Sequence, residues 1–441
     1  MIIAGQLLLP TSGSRAELAA GWLCIAAGRI AELARGACPH AVDLGGDDYF
    51  ITPGFIDAHV HLPQFDGIGC DGLPLLEWLN TRIYPMERRW EDSSYAASMT
   101  QRVLRQFLSH GTTSFCAYST VHHQATVAAM EVTRQRGLRA CIGQTLIDRL
   151  SPEYLTRPTQ QQLDEVRLLL ERFPPLGESS RVEFGVTPRF AASCTPELMQ
   201  EVARMARSTG AIVQTHLAET TAECEWVESL FDGKLYTDVY HSMGLLGKRT
   251  LLGHGIHLRD EERQVIRRTG SIIAHCPNAN VFLQSGVMPR WLWREEGLRV
   301  SLGSDIGAGF EVAMPRVARA MIDAAKYLRF SMAPSLSGRG QGGGKVRTGG
   351  PLTPTLSQGE REQWLPPTAA EAWHLITTGN ADAAGWPQVG RLVVGAEADL
   401  LIIRPDIHWR ESPDPLAMLL YAWDSRWIER VLIAGSLAQH E

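Results

Sequence analysis

The chain holds no Cys-x-x-Cys pair, and its eight cysteines are scattered over 441 residues. A chain of this length buries enough apolar surface to do without disulfide staples, so a reducing cytoplasm is the expected compartment. Long runs of Lys and Arg are also missing, and 42 basic against 48 acidic residues leave a formal charge of -6. That balance disfavours nucleic acid and anionic membrane as partners and favours a small neutral or polar molecule. No apolar run is long enough to span a bilayer, and the opening stretch Met1 to Pro10 lacks a basic leader and reads as a first strand.

What the chain does have is His59-Val60-His61 at the end of an apolar run. A strand turns alternate side chains to opposite faces, so His59 and His61 share a face and a divalent cation can bridge them. Two histidines at this spacing are a weak signal by themselves. His216, His254 and Asp305 give it weight, because each also closes a short apolar run.

From about residue 52 to 330, β-branched apolar runs alternate with stretches of helical periodicity, the pattern of repeated βα units around a parallel sheet. The strands are expected at 51–59, 112–118, 139–147, 182–188, 212–216, 250–254, 271–275 and 300–305. Helices are expected at 92–109, 124–136, 161–173, 196–208, 220–230 and 260–268. This predicts an α/β fold, a (β/α)₈ TIM-like barrel over 52–385. Short strand-like runs in 1–51 and 386–441 predict a small β-sandwich domain built from both ends of the chain. The segment 334–363 is rich in Gly, Pro and Ser and lacks periodicity, so it is expected to be a disordered insertion.

In such a barrel, polar residues at the C-terminal ends of strands converge on one rim, where catalysis is found. His59, His61 and His216 offer imidazole nitrogens and Asp305 a carboxylate, a donor set suited to Zn²⁺, with Fe²⁺ and Mn²⁺ as alternatives. A cation so held lowers the pKa of its water from about 15.7 towards about 7, which points to hydrolysis. Glu219, three residues after His216, is the candidate proton carrier; the competing reading is a helix-start glutamate favoured by the macrodipole. His254 is expected to hydrogen-bond the nucleophile or a developing oxyanion, and His275 to fix a loop. Asp57 and Asp148 are read as turn or strand-end residues, and His122, His123, His241 and His257 as structural.

These motifs resemble the amidohydrolase superfamily and, within it, the guanine deaminases. Pro53-Gly-Phe-Ile-Asp-Ala-His-Val-His-Leu-Pro-Gln64, Leu75-Leu-Glu-Trp-Leu79, Tyr84-Pro-Met-Glu-Arg-Arg89, Thr187-Pro-Arg-Phe190, Thr215-His-Leu-Ala-Glu219, Gly253-His-Gly255, Ala274-His-Cys-Pro-Asn278 and Gly303-Ser-Asp305 follow in family order. The resemblance implies a cytoplasmic homodimer of purine catabolism with one zinc per subunit, converting guanine to xanthine and ammonia through attack of metal-bound hydroxide on C2. By the same resemblance, metal ligation falls to His59, His61, His216 and Asp305, and catalysis to Glu219, His254 and Asp305. Guanine recognition falls to Gln64, Arg189 and Phe190.

Ser304 and Ile147 depart from the family pattern, which often has Thr and Met there, and neither position is a proposed ligand. The alternatives are an amidohydrolase acting on another purine, a pterin, a pyrimidine or a triazine, and an inactive barrel scaffold. The zinc cytidine deaminases are disfavoured, because their His-x-Glu and Pro-Cys-x-x-Cys signature is missing.

Overall fold

Gly54 divides one apolar run between two sheets. By composition 51–59 reads as a single strand, but the computed structural model, which describes residues 1–11, 13–175, 180–331 and 365–438, breaks it there. β1 (Ile2–Pro10), β2 (Ala16–Ala26), β3 (Arg29–Arg35) and β4 (Leu44–Pro53) share one sheet, and β5 (Phe55–His61) begins another. A Cβ at position 54 would lie 2.1 Å from Thr113 Oγ1, so glycine is needed where the chain crosses this close to its neighbour.

β5, β6 (Thr112–Tyr118), β7 (Arg139–Gly143) and, after the short β8 (Thr145–Leu146), β9 (Val182–Phe184) form a parallel four-stranded sheet. After the short β10 (Thr187–Pro188), a second parallel sheet contains β11 (Val213–Leu217), β12 (Thr250–His254), β13 (Ile272–His275) and β14 (Arg299–Leu302). Hydrogen bonds join the two sheets along both edges. On one edge, Val186 N–H donates to Ile212 O at 2.8 Å and Gln214 N–H to Val186 O at 2.9 Å. On the other, Asp305 N–H donates to His59 O at 2.8 Å and His61 N–H to Ile306 O at 2.7 Å.

Asn380 bridges that second seam further down. Its amide donates to Ile56 O and to Leu302 O, both at 2.7 Å, and accepts from Leu302 N–H at 2.8 Å. The result is the (β/α)₈ arrangement, with helices outside it. Every residue of β5, β6 and β7 is buried, as strands covered on both faces require.

The six expected helices form, each with bounds close to those read from the sequence. Their ends have local causes. Asp92 accepts from Ser94 and Tyr95 N–H to open helix Ser93–Ser109, Thr195 caps Pro196–Thr209, and Gly210 closes the latter in the left-handed region at φ 76°.

β15 (Leu400–Ile403), β16 (Ile428–Ile433) and β17 (Ser436–Leu437) pair onto β4 to complete a seven-stranded sheet from both ends of the chain, in the order β17-β16-β15-β4-β1-β2-β3. One of its faces gathers Ile3, Leu7, Leu23, Ile51, Leu400 and Ile402 into a cluster of its own. Leu8, Phe50, Ile403 and Val431 instead join the large core that fills and surrounds the barrel. Glu397 pins the sheet to the barrel, receiving both Arg139 and Arg181, while Asp399 takes a second nitrogen of Arg181. The insertion expected at 334–363 lies outside the described residues.

Candidate active site

The four side chains expected to bind metal meet at the C-terminal rim. His59 Nε2 stands 3.3 Å and His61 Nε2 3.4 Å from Asp305 Oδ1, and the Nε2 atoms of His61 and His216 are 3.0 Å apart. A cation bound tetrahedrally at about 2.0–2.1 Å sets neighbouring donors about 3.3 Å apart, so these spacings fit one ion. His59 Nε2 is buried without a hydrogen-bond partner, an orphan that such an ion would satisfy. His59, His216 and His254 also offer nitrogens within 4.8 Å of one another, which places His254 on the border of the same centre.

The donor chemistry suits a cation as well. Burial, reinforced by neighbouring imidazoles, holds His59, His61 and His216 well below the usual histidine range, so they are neutral with lone pairs to give. His216 Nδ1–H donates to Arg189 O at 2.7 Å, which leaves its Nε2 as the free acceptor.

Close packing sets the position of His59. A Cβ on Gly253 would lie 2.7 Å from His59 Cε1, and one on Gly303 would lie 2.6 Å from His59 Cβ. Both glycines are therefore required by the ring and backbone between them. His254 and Asp305 adopt left-handed backbone, with φ 65° and 54°, a conformation costly for non-glycine residues that here turns both side chains onto the centre.

Glu219 faces this group from the end of β11. Its Oε2 is 3.4 Å from His254 Nε2, and its Oε1 accepts from Ser285 Oγ at 2.8 Å. Burial, with the Asp305 charge adding to it, pushes the carboxyl up to about 8, so it can gain or lose a proton near neutrality. It does not cap the helix that follows. Thr220 does, in a capping box with Glu223, whose carboxylate receives Glu219 N–H at 2.9 Å and Thr220 N–H at 3.4 Å. Asn280 Oδ1 is 3.0 Å from His254 Nδ1 and sets the tilt of that ring.

Gln64, Arg189 and Phe190 line the same pocket as His61, His216, Glu219, His254 and Asp305. Trp78 also lines it and donates through Nε1 to Cys70 O at 2.9 Å. Gln64 and Arg189 are braced from behind by Glu87, which takes Gln64 Nε2 at 2.9 Å and Arg189 Nη1 at 2.9 and 2.7 Å.

A model described as the amidohydrolase family matches residues 50–342. The chain belongs to the amidohydrolase family. It is 32% identical over 409 residues to guanine deaminase of Dictyostelium discoideum, covering 90% of this chain and 83% of the relative. It is 32% identical over 400 residues to that of Escherichia coli, covering 88% and 82%. Among solved structures, the guanine deaminase of C. acetobutylicum with guanine bound superposes with TM-score 0.87 at 25% identity, covering 99% of both chains. This amidohydrolase is a hydrolytic enzyme of the guanine deaminase type.

Other residues singled out in the sequence of this amidohydrolase fall into supporting places. Asp57 Oδ1 accepts from His59 N–H at 3.2 Å and Ser304 N–H at 2.9 Å, tying β5 to the loop that carries Asp305. His275 lies outside the pocket, and its carbonyl accepts Gly303 N–H at 2.9 Å, which fixes that loop. Asp148 accepts Thr195 N–H at 2.7 Å at a helix start, and His257 reaches Ser285 O at 2.7 Å. Glu87, Ser285, Asn280 and Glu223 escaped sequence reasoning. Only Glu87 left a trace there, inside the Tyr84 to Arg89 segment.

Proposed function

We propose that this amidohydrolase converts guanine and water to xanthine and ammonia, with zinc held by His59, His61, His216 and Asp305. The observation that carries the reading is the convergence, in one pocket, of that donor set with Glu219 and His254 and with the Gln64, Arg189 and Phe190 expected to recognise guanine. A divalent ion at these donors supplies the Lewis acidity that makes water nucleophilic at neutral pH.

The side chains supply the rest. Phe190 offers an aromatic face to the planar base, while Gln64 and Arg189 meet its O6 and N1–H edge. This turns C2 towards Glu219, His254 and Asp305. Glu219 accepts the proton of the attacking water and delivers it to the ring nitrogen as oxygen bonds to C2, then takes the proton of the resulting C2 hydroxyl and passes it to the departing amine as the C2–N bond breaks. His254 Nε2, 3.4 Å from Glu219 and 3.9 Å from Asp305, is placed to hydrogen-bond the oxygen on C2. Loss of ammonia leaves the C2 carbonyl of xanthine. By family resemblance the reading extends to a homodimer working in the cytoplasm; no described helix is long and apolar enough to cross a membrane.

Purified protein tests this directly. Guanine is expected to lose its absorbance and release ammonia, ahead of any pterin, triazine or pyrimidine in a panel. Glu219→Gln is expected to keep the metal, measured by elemental analysis, and to lose about 10²–10⁴-fold in turnover. Stronger turnover of another base would displace guanine, and wild-type rates in the variant would remove Glu219 from the chemistry.

A further inference from the structure

The pocket reads its ligand through two side chains that are both tied to one hidden carboxylate. Glu87, on helix Tyr84–Arg88, is 1% exposed, and Gln64 and Arg189 are 2% and 3% exposed. Gln64 Nε2 and Arg189 Nη1 each lie 2.9 Å from the same oxygen, Glu87 Oε1, so their polar ends sit side by side. Arg189 is held on a further side by Tyr84, whose ring centroid lies 5.1 Å from the guanidinium carbon. Glu87 itself does not line the pocket.

An amide can turn either end towards a ligand, since its oxygen and nitrogen have almost the same shape. A carboxylate removes that freedom, because it only accepts. With Glu87 behind it, Gln64 must turn its amide nitrogen to the carboxylate, giving one Nε2 proton to Glu87 Oε1 at 2.9 Å, and so presents Oε1 on the opposite side of the amide. Among the described residues, Gln64 Oε1 and Arg189 Nη2 have no hydrogen-bond partner. The pocket therefore shows an acceptor beside a cationic donor.

We infer that Glu87 is a positioning residue that sets the polarity of base recognition, obliging the ligand to offer an N–H next to a C=O. The inference rests on the pocket being a purine site and deepens that reading. Guanine, hypoxanthine and xanthine carry this edge at N1–H and O6. Adenine and 2,6-diaminopurine carry its reverse, a bare N1 beside an amine, which would set acceptor against acceptor and donor against donor. Rejection then comes from unpaired buried groups as much as from attraction to the right ligand.

Calorimetric binding of hypoxanthine and adenine to the metal-loaded enzyme tests this, since neither base has a 2-amino group to lose. In the wild type hypoxanthine is expected to bind at least about 10²-fold tighter; sites built to hydrogen-bond a ligand reject mismatches by up to about 10⁴–10⁵-fold. Glu87→Gln lets Gln64 rotate, and is expected to shrink the ratio about 10-fold or more, to raise KM for guanine more than it lowers kcat, and to leave metal content unchanged. Should that variant fold poorly, Gln64→Leu keeps the Glu87–Arg189 pair and is expected to shrink the ratio likewise. A folded variant of either kind with the wild-type ratio, or a wild type without the preference, overturns the inference. Absence of guanine turnover with the preference intact would instead overturn the proposed reaction and leave this inference standing.

Discussion

Replacing Gly303 with alanine should weaken metal binding although none of the four proposed donor side chains is substituted. The new methyl carbon would lie 2.6 Å from His59 Cβ, 3.0 Å from His59 N and 3.1 Å from His59 Cα. Non-bonded carbons settle at about 3.5–4.0 Å, so the strands must part by about 1 Å. Backbone, not a flexible chain end, stands in the way. Neither side can yield freely: Gly303 N–H is bonded to His275 O at 2.9 Å, and Asp305 N–H to His59 O at 2.8 Å.

Metal ligands tolerate errors of about 0.2 Å, and the displaced seam carries His59 on one side and Asp305 on the other. Metal affinity is therefore expected to fall about 10–100-fold, and turnover at limiting metal by about 10²-fold. Stability should fall by about 1–3 kcal/mol from overpacking. Zinc competition against a chromophoric chelator, guanine absorbance and a thermal melt measure the three quantities. Gly247→Ala, where an added Cβ meets nothing within 4 Å, is the control. A Gly303→Ala enzyme with unchanged zinc affinity and rate would refute the claim that close packing of this seam builds the centre.

Two further outcomes are expected. Glu397→Gln strips the main counter-ion from Arg139, whose side chain is 1% exposed, and breaking such a buried pair costs about 3–5 kcal/mol; chemical denaturation should show that loss with metal content unchanged. Dialysis against a chelator should abolish turnover and added zinc should restore it, with manganese or iron(II) giving partial recovery; turnover that survives metal stripping would remove the ion from the reaction.

Much of the architecture was legible because its causes are local. Periodicity and caps locate the helices, as with Asp92 and Thr195, and apolar β-branched runs locate the strands. The alternation of a strand is a property of the backbone itself, so the shared face of His59 and His61 follows from their spacing alone. What such reasoning could not see was membership. Pro53-Gly54 marks a break within 51–59, but residue type alone does not tell that the residues before it pair with the terminal sheet and those from Phe55 line the barrel.

Burial and distance belong to the tertiary structure alone. Glu87 reads as an ordinary charged residue among arginines, and its part emerges only when the fold seals it against Arg189, 102 positions later. Glu219 and Glu223 are alike by residue type and both line the pocket, but the helix start engages Glu223 in a capping box and leaves Glu219 Oε2 3.4 Å from His254 Nε2. Donor types and the strand ends that carry them follow from residue order alone, because they depend on side-chain chemistry and backbone alternation. Contact between those donors comes from folding, through a barrel seam that brings Asp305 back to His59 across 246 positions of chain and removes both from water.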